Sequence, residues 1–224
     1  MKFILKGEVM GLINRVKEFI DSQYSKPRGL IGSYFGEKMV RQHKPETLWT
    51  LELLKVAQRE RVLELGCGAG FAMKMILEQT LADQVVGLDL SRTVIRSAAL
   101  RNKKAINEGR AKLVQANVEK LPFQNEHFDK VFSIHTIYFW DNIAETISEI
   151  YRVLKPGGFS VLTLCDGKDG EVWDGVKNMI EDQLIPSANK SGFQEVTLVE
   201  GPNSRQFRTV AIIGHKKPNN KLSQ

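Results

Sequence analysis

Apolar residues recur along this chain with two different periods. Val9, Leu12, Ile13, Val16, Phe19 and Ile20 return every three or four positions, with Arg15, Lys17, Glu18 and Asp21 between them. Residues 8–22 therefore read as an amphipathic helix. Lys26-Pro27-Arg28-Gly29 interrupts it, Gly32 and Gly36 predict a flexible segment, and Pro45 suits the first turn of a helix running to about Val56. From Arg61 onward, short apolar runs alternate with helical stretches. Strands are expected at 61–65, 84–89, 111–115, 129–134 and 159–165. Helices are expected at 70–80, at 91–107 behind a Ser91 N-cap, beyond Asp141, and at 171–185. Two last strands, 193–199 and 206–215, flank Gly201-Pro202-Asn203-Ser204 and predict a hairpin. Such alternation argues an α/β fold around a parallel sheet.

Within that frame one junction carries chemistry. Val62-Leu63-Glu64-Leu65-Gly66-Cys67-Gly68-Ala69-Gly70 runs from a buried strand through a glycine turn into a helix, and the next strand ends in Asp89. In a doubly wound sheet this sets a close-approach backbone loop beside an acid suited to the two hydroxyls of a ribose. A nucleoside-bearing cofactor is expected. A dinucleotide fingerprint needs glycine at the first, third and sixth positions. Counted from Gly66 the sixth is Phe71, and glycine falls at the fifth, Gly70. An acid, Glu64, also stands where pyrophosphate would be repelled.

An acid-x-Gly-x-Gly-x-Gly turn of this kind resembles the first motif of the class I S-adenosylmethionine-dependent methyltransferases. The likeness continues in order through Asp89, through Ala116-Asn117-Val118-Glu119-Lys120-Leu121-Pro122-Phe123, through Phe128-Asp129-Lys130-Val131, and through Arg152-Val153-Leu154-Lys155-Pro156-Gly157-Gly158. It covers roughly residues 60–165. The resemblance implies a Rossmann-like, doubly wound, seven-stranded sheet with the last strand antiparallel. It divides the chain into a helical extension or lid over 1–58, an S-adenosylmethionine-binding domain over 59–216, and a frayed tail over 217–224.

The resemblance also implies roles. Gly66, Cys67, Gly68 and Gly70 would form the turn at the methionyl part, with Glu64 near its amine. Asp89 would grip the ribose, Leu90 would flank the adenine, and Val118 would offer its backbone amide to the ring. Asn117 stands where the family usually has aspartate, and its carbonyl oxygen can still accept from an exocyclic amine. Ser133 would close the cofactor site from the fourth strand.

The methyl acceptor is expected beyond that strand, at Ser133-Ile134-His135-Thr136-Ile137-Tyr138-Phe139-Trp140. No Asn/Asp-Pro-Pro-aromatic sequence stands there, which argues against nucleobase amines. His135 is the candidate general base, since an imidazole can accept a proton near neutral pH. Tyr34, His43, Trp49, Tyr138 and Trp140 are candidate pocket residues, although aromatics after a strand equally serve core packing.

Composition narrows the setting. Of the 224 residues 42% are hydrophobic, a globular value, and the two cysteines, Cys67 and Cys165, give neither a disulfide framework nor a metal spacing. The formal charge is +6, with +5 on residues 1–61, +3 on 216–224 and −2 on 62–215. The cofactor region thus lacks the basic excess of a nucleic-acid binder. A charge-interrupted start and the lack of a long apolar run predict a cytoplasmic protein with no transmembrane segment. The basic helix at 8–22 leaves peripheral membrane contact open. The expected activity is methyl transfer to O, N or C of a small molecule, lipid-like or quinone-like acceptors included, by a monomer or homodimer. Two other readings are a non-catalytic S-adenosylmethionine-binding partner subunit and a nicotinamide-dependent oxidoreductase, the latter disfavoured by Phe71.

Overall fold

The computed structural model describes residues 29–219, so the helix at 8–22, the break before Gly29 and residues 220–224 of the tail lie outside the described residues. Two helices come first, α1 (Gly29–Gln42) and α2 (Lys44–Leu54), joined at His43. The sheet domain follows as β1 (Arg61–Leu65), α3 (Phe71–Gln79), β2 (Gln84–Asp89), α4 (Arg92–Arg101), α5 (Lys103–Asn107), β3 (Ala111–Gln115) and β4 (Phe128–Ile134). After a 3-10 turn at Ile137–Phe139 come α6 (Ile143–Val153), β5 (Leu154–Lys168), the two-residue β6 (Glu171–Val172), α7 (Asp174–Asn178), a π-type stretch Met179–Leu184, α8 (Ile185–Ser191), β7 (Phe193–Glu200) and β8 (Phe207–Lys216).

The main path of the sheet is β3-β2-β1-β4-β5-β8-β7, with β6 pairing β5 off that path. β1 through β5 pair in parallel and β8 is antiparallel to both β5 and β7. The seven-stranded, last-strand-antiparallel fold is thus present, with β6 as a small addition. Parallel strands covered on both faces are apolar at successive positions. Leu63 and Leu65 face one core layer, with Ile147, Ile150 and Val153 of α6. Val62, Val85, Phe132 and Val161 face the other, with Leu54 of α2 and Met73 and Ile76 of α3.

Three local expectations need correction. Residues 29–36 are helical, as the first half of α1, and not a flexible segment. Glycine within a helix costs only about 1 kcal/mol, and tertiary ties outweigh it: Arg101 of α4 holds Glu37 through both carboxylate oxygens at 2.6 and 2.7 Å. The helix expected over 91–107 is broken at Asn102, which caps α4 and turns its side-chain amide back to the Gly70 and Ala98 carbonyls. The helix expected over 171–185 begins at Asp174, because Glu171–Val172 pair with β5, and helical structure continues to Ser191. Pro186 removes a donor and crowds the preceding turn, and the wider π-type turn lies just ahead of it.

Lys130 anchors α2 to the sheet. Its buried ammonium donates to the Leu54 and Lys55 carbonyls at 2.5 and 2.6 Å and pairs with Glu60 at 2.9 Å. The last carbonyls of a helix otherwise lack partners. Lys130→Met should therefore lower unfolding free energy by about 2–3 kcal/mol, the cost of leaving buried acceptors unmade. Urea denaturation measures it, and a loss under half a kilocalorie would show that water replaces the ammonium.

Candidate active site

In a sheet ordered 3-2-1-4-5, the chain leaves β1 toward one side and β4 lies on the other. This opens a crevice at the carboxyl ends of β1 and β4. A cavity of about 800 Å³ lies there, a size usual for small-molecule sites.

One wall is the glycine turn. The Gly66 and Cys67 amides donate to Leu88 O at 2.7 and 2.9 Å, which sews the turn to β2. Gly66 has φ +70°, and a Cβ there would lie 2.2 Å from the Thr136 methyl. Gly68, at φ +50°, differs: a Cβ there would meet nothing within 4 Å and would stand in open space at the cavity wall. Asp89 fastens this turn, since Oδ2 accepts from the Gly68 amide at 3.0 Å and Oδ1 from the Ser91 amide at 2.8 Å. Burial raises the Asp89 carboxyl above its ordinary range, and the Ser91 and Gly68 amides oppose the rise.

Glu64 lies in the same wall with Oε2 buried and without a hydrogen-bond partner among the described residues. Burial pushes its carboxyl well above the usual range; the Met73 amide opposes this and the Asp89 charge adds to it. An orphan carboxylate oxygen beside a turn open to close approach fits the ammonium and chain of a bound amino-acid group. Asn117 closes a turn on Glu119, accepting from its amide at 3.1 Å, and still lines the cavity with Leu90 and Val118. An amide oxygen has a second lone pair, so this bond leaves it able to accept again.

The other end is roofed by Met39, Val40 and Gln42 of α1 with His43, and walled by Tyr138, Phe139, Trp140, Trp173 and Phe207. Tyr138 is held rigidly: its hydroxyl donates to Cys165 O at 2.7 Å and accepts from Cys165 N at 2.6 Å. β4 pairs with β5 only as far as Ile134 and Thr163. The phenol takes over where β4 stops, so it braces the wall and has no proton to exchange. Burial first, then the neighbouring Cys165, pushes its pKa up. Trp140 Nε1 is buried without a partner among the described residues.

His135 follows β4 at φ +56°, its amide donating to Thr163 O at 2.8 Å. Its ring centroid lies 4.3 Å from that of His43. Burial, with the His43 and Arg205 charges, holds His135 at a pKa of about 3. His43 is also lowered, by burial first, with Glu46 opposing and Arg205 assisting.

The structure brings Glu64, Gly66, Cys67, Gly68, Asp89, Leu90, Asn117, Val118, His135, His43, Tyr138 and Trp140 to this one cavity. Four sequence candidates stand elsewhere. Gly70 caps α3 and packs against Ala98 and Asn102 of α4. Ser133 lies buried behind the wall, hydrogen-bonded to Thr136. Tyr34 is 66% exposed and off the lining. Trp49 is off the lining and packs over Gly201, where a Cβ would come within 2.6 Å of its ring. Sequence reading missed Met39, Val40, Trp173, Arg205 and Phe207. Arg205 lies in the turn between β7 and β8 and Phe207 opens β8, and no motif marks them.

A sheet of this order, whose glycine turn and strand-end acid open on a cavity with room beyond them, has the geometry of a nucleoside-cofactor site. A family model described as a methyltransferase domain matches residues 63–162. The chain is 26% identical over 164 residues to an uncharacterized methyltransferase, YdaC, of Bacillus subtilis, covering 73% of this chain and 87% of that one. It is 29% identical over 170 residues to 24-methylenesterol C-methyltransferase 2 of Arabidopsis thaliana, covering 71% of this chain and 47% of the plant protein. The chain thus spans about half of that relative's length. Among solved structures, phosphoethanolamine N-methyltransferase 2 of Haemonchus contortus, in complex with S-adenosyl-L-methionine, superposes with a TM-score of 0.62 at 19% identity, over 77% of this chain and 52% of that one. Residues 63–162 thus match a methyltransferase domain, and S-adenosylmethionine is the cofactor that this likeness supports.

The state of Glu64 gives a pH test. A carboxyl raised in the fold is neutral where the unfolded chain begins to ionise, so its contribution is intact below pH 4.5 and is lost as pH rises through the folded pKa. Without ligand, wild-type stability should therefore fall relative to Glu64→Gln as pH rises from about 4.5. Paired melting curves across pH check this, and parallel curves would mean that Glu64 titrates normally.

Proposed function

We propose that this methyltransferase acts on a largely apolar small molecule, held at the aromatic end of the cavity with its nucleophilic atom toward the glycine turn. The observation that supports this most is continuity. One cavity runs from Gly68 and Asp89 to Trp140, Trp173 and Phe207, with residues of α1 in its lining, so donor and acceptor would share one space. Sterol C-methyltransferases among the relatives are in keeping with an apolar acceptor.

S-Adenosylmethionine supplies, when bound, an already activated methyl group. The chain's task is then to hold and to shield. Glu64 would take the ammonium with its orphan oxygen, Asp89 the ribose hydroxyls, and Leu90, Asn117 and Val118 the adenine. The backbone at Gly66, Cys67 and Gly68 admits the methionyl chain. Trp140 Nε1 offers a donor to a polar atom of the acceptor, and Tyr138 keeps that wall from yielding. His135 stays neutral across the physiological range and offers a lone pair to the acceptor side; its proton affinity is too low to make it a strong base. Catalysis comes from alignment of nucleophile and methyl at roughly 3 Å.

The test is turnover of labelled S-adenosylmethionine with a panel of sterol, quinone-ring and lipid acceptors beside polar controls. Transfer to an apolar acceptor supports the reading; transfer only to polar controls overturns it. Cofactor binding without transfer to anything would make the chain a binding subunit for a partner. Two alanine variants separate fold from site. Gly68→Ala should cost about 1–2 kcal/mol of stability, the penalty of left-handed backbone, yet weaken cofactor binding at least about tenfold, 1.4 kcal/mol. Gly66→Ala, driven into Thr136, should lose far more stability. Calorimetry beside thermal melting reads both, and normal affinity in Gly68→Ala would remove this turn from the cofactor site.

A further inference from the structure

At the inner end of the acceptor compartment three potential ligands converge from two parts of the chain. His43 is the residue between α1 and α2, Glu46 lies three residues later on the first turn of α2, and His135 follows β4. Spacing of three places His43 and Glu46 on one face of that turn. One ligand atom from each of the three lies within 4.8 Å of the others. Contraction to a tetrahedral shell, with ligand atoms about 3.4 Å apart around an ion bound at about 2.1 Å, needs only small rotations of the three side chains.

The state of these atoms points to a ligand. Glu46 is 0% exposed, yet its Oε2 has no hydrogen-bond partner among the described residues. His135 Nε2 is likewise buried and unpartnered. A buried carboxylate oxygen and a buried imidazole nitrogen left open on two residues whose ligand atoms come this close are costly unless a ligand satisfies them. The nearest cation is the Arg205 guanidinium. It reaches Glu46 Oε1 only at 3.5 Å and His43 Nδ1 only at 3.4 Å, at the long edge of hydrogen bonding. It comes from the turn ahead of β8, is itself partly exposed, and touches neither orphan atom.

We propose that His43, Glu46 and His135 form a binding site for one divalent transition-metal ion, Zn²⁺ being the natural probe. Two imidazoles and one carboxylate are a donor set that borderline divalent ions take up, with a fourth position left open. His43 and His135 line the cavity, so that position faces the acceptor compartment, where an oxygen of the acceptor would complete the shell. This last step rests on the acceptor reading above; the ion site does not. Arg205 is then the competing cation of the metal-free protein.

The experiment is titration of chelator-treated full-length protein with Zn²⁺ by calorimetry, and with Co²⁺ by its visible ligand-field bands. S-Adenosylhomocysteine binding is followed separately as a check of fold and cofactor site. One ion per chain is expected, with affinity at least about tenfold weaker in His135→Ala and in Glu46→Gln, the scale seen when metal shells are altered. Arg205→Gln, which removes the competitor, should bind at least as tightly as wild type. Failure of the wild type to take up a stoichiometric ion would overturn the site, as would unchanged affinity in both ligand variants or a large loss in Arg205→Gln. Methyl transfer that proceeds in wild type without any bound ion would leave the acceptor reading standing and remove the metal from it.

Discussion

One carboxylate holds the working end of this molecule together. Asp89 closes β2, takes the Gly68 amide on one oxygen and the Ser91 amide on the other, and so fixes a loop from β1 and the start of α4 relative to each other. The glycine turn has no side chains with which to hold its shape. Its conformation comes from amides tied to Leu88 O and to Asp89. Charge-assisted bonds to backbone amides are among the stronger ones, and they survive here although burial raises the acid's pKa. The same two bonds fix the orientation of the carboxylate, because both oxygens accept from backbone amides.

Around this point the protein is assembled from pieces that stop one another. β4 ends at Ile134, and Tyr138 then supplies Cys165 with the donor and acceptor that a longer β4 would have given. The chain is thereby free to turn at His135 and lay its aromatics along the cavity without breaking the sheet. α1 is held over the opening by Arg101, which grips Glu37 and also donates to the carbonyl of Ala69 in the glycine loop. Roof and loop are thus bound through one guanidinium.

The sheet was legible because its signal is local. Both-face burial writes successive apolar residues into β1, β2 and β4, and the strand-end acid and glycine spacing can be counted directly. Resemblance added the antiparallel last strand. What escaped reading was set by packing. Nothing near Gly32 and Gly36 shows that Arg101, some 60 positions on, holds that segment helical. Trp49 looks as well placed as His43 until the rotation of α2 is known, and only His43 lines the cavity while Trp49 packs over Gly201. Arg205 and Phe207 reach the cavity only because the terminal hairpin folds back along β5. Glu46 reads as one acid among several in an ordinary helix, and only burial with an open oxygen singles it out.

The wall formed by β1 and β2 carries two carboxylates, buried Glu64 and half-buried Asp89, and the Asp89 charge raises the cost of ionising Glu64. A positively charged group that arrives at this wall relieves that cost, and a neutral one of the same shape does not. The wall therefore sorts what approaches it by charge, ahead of any movement of the chain.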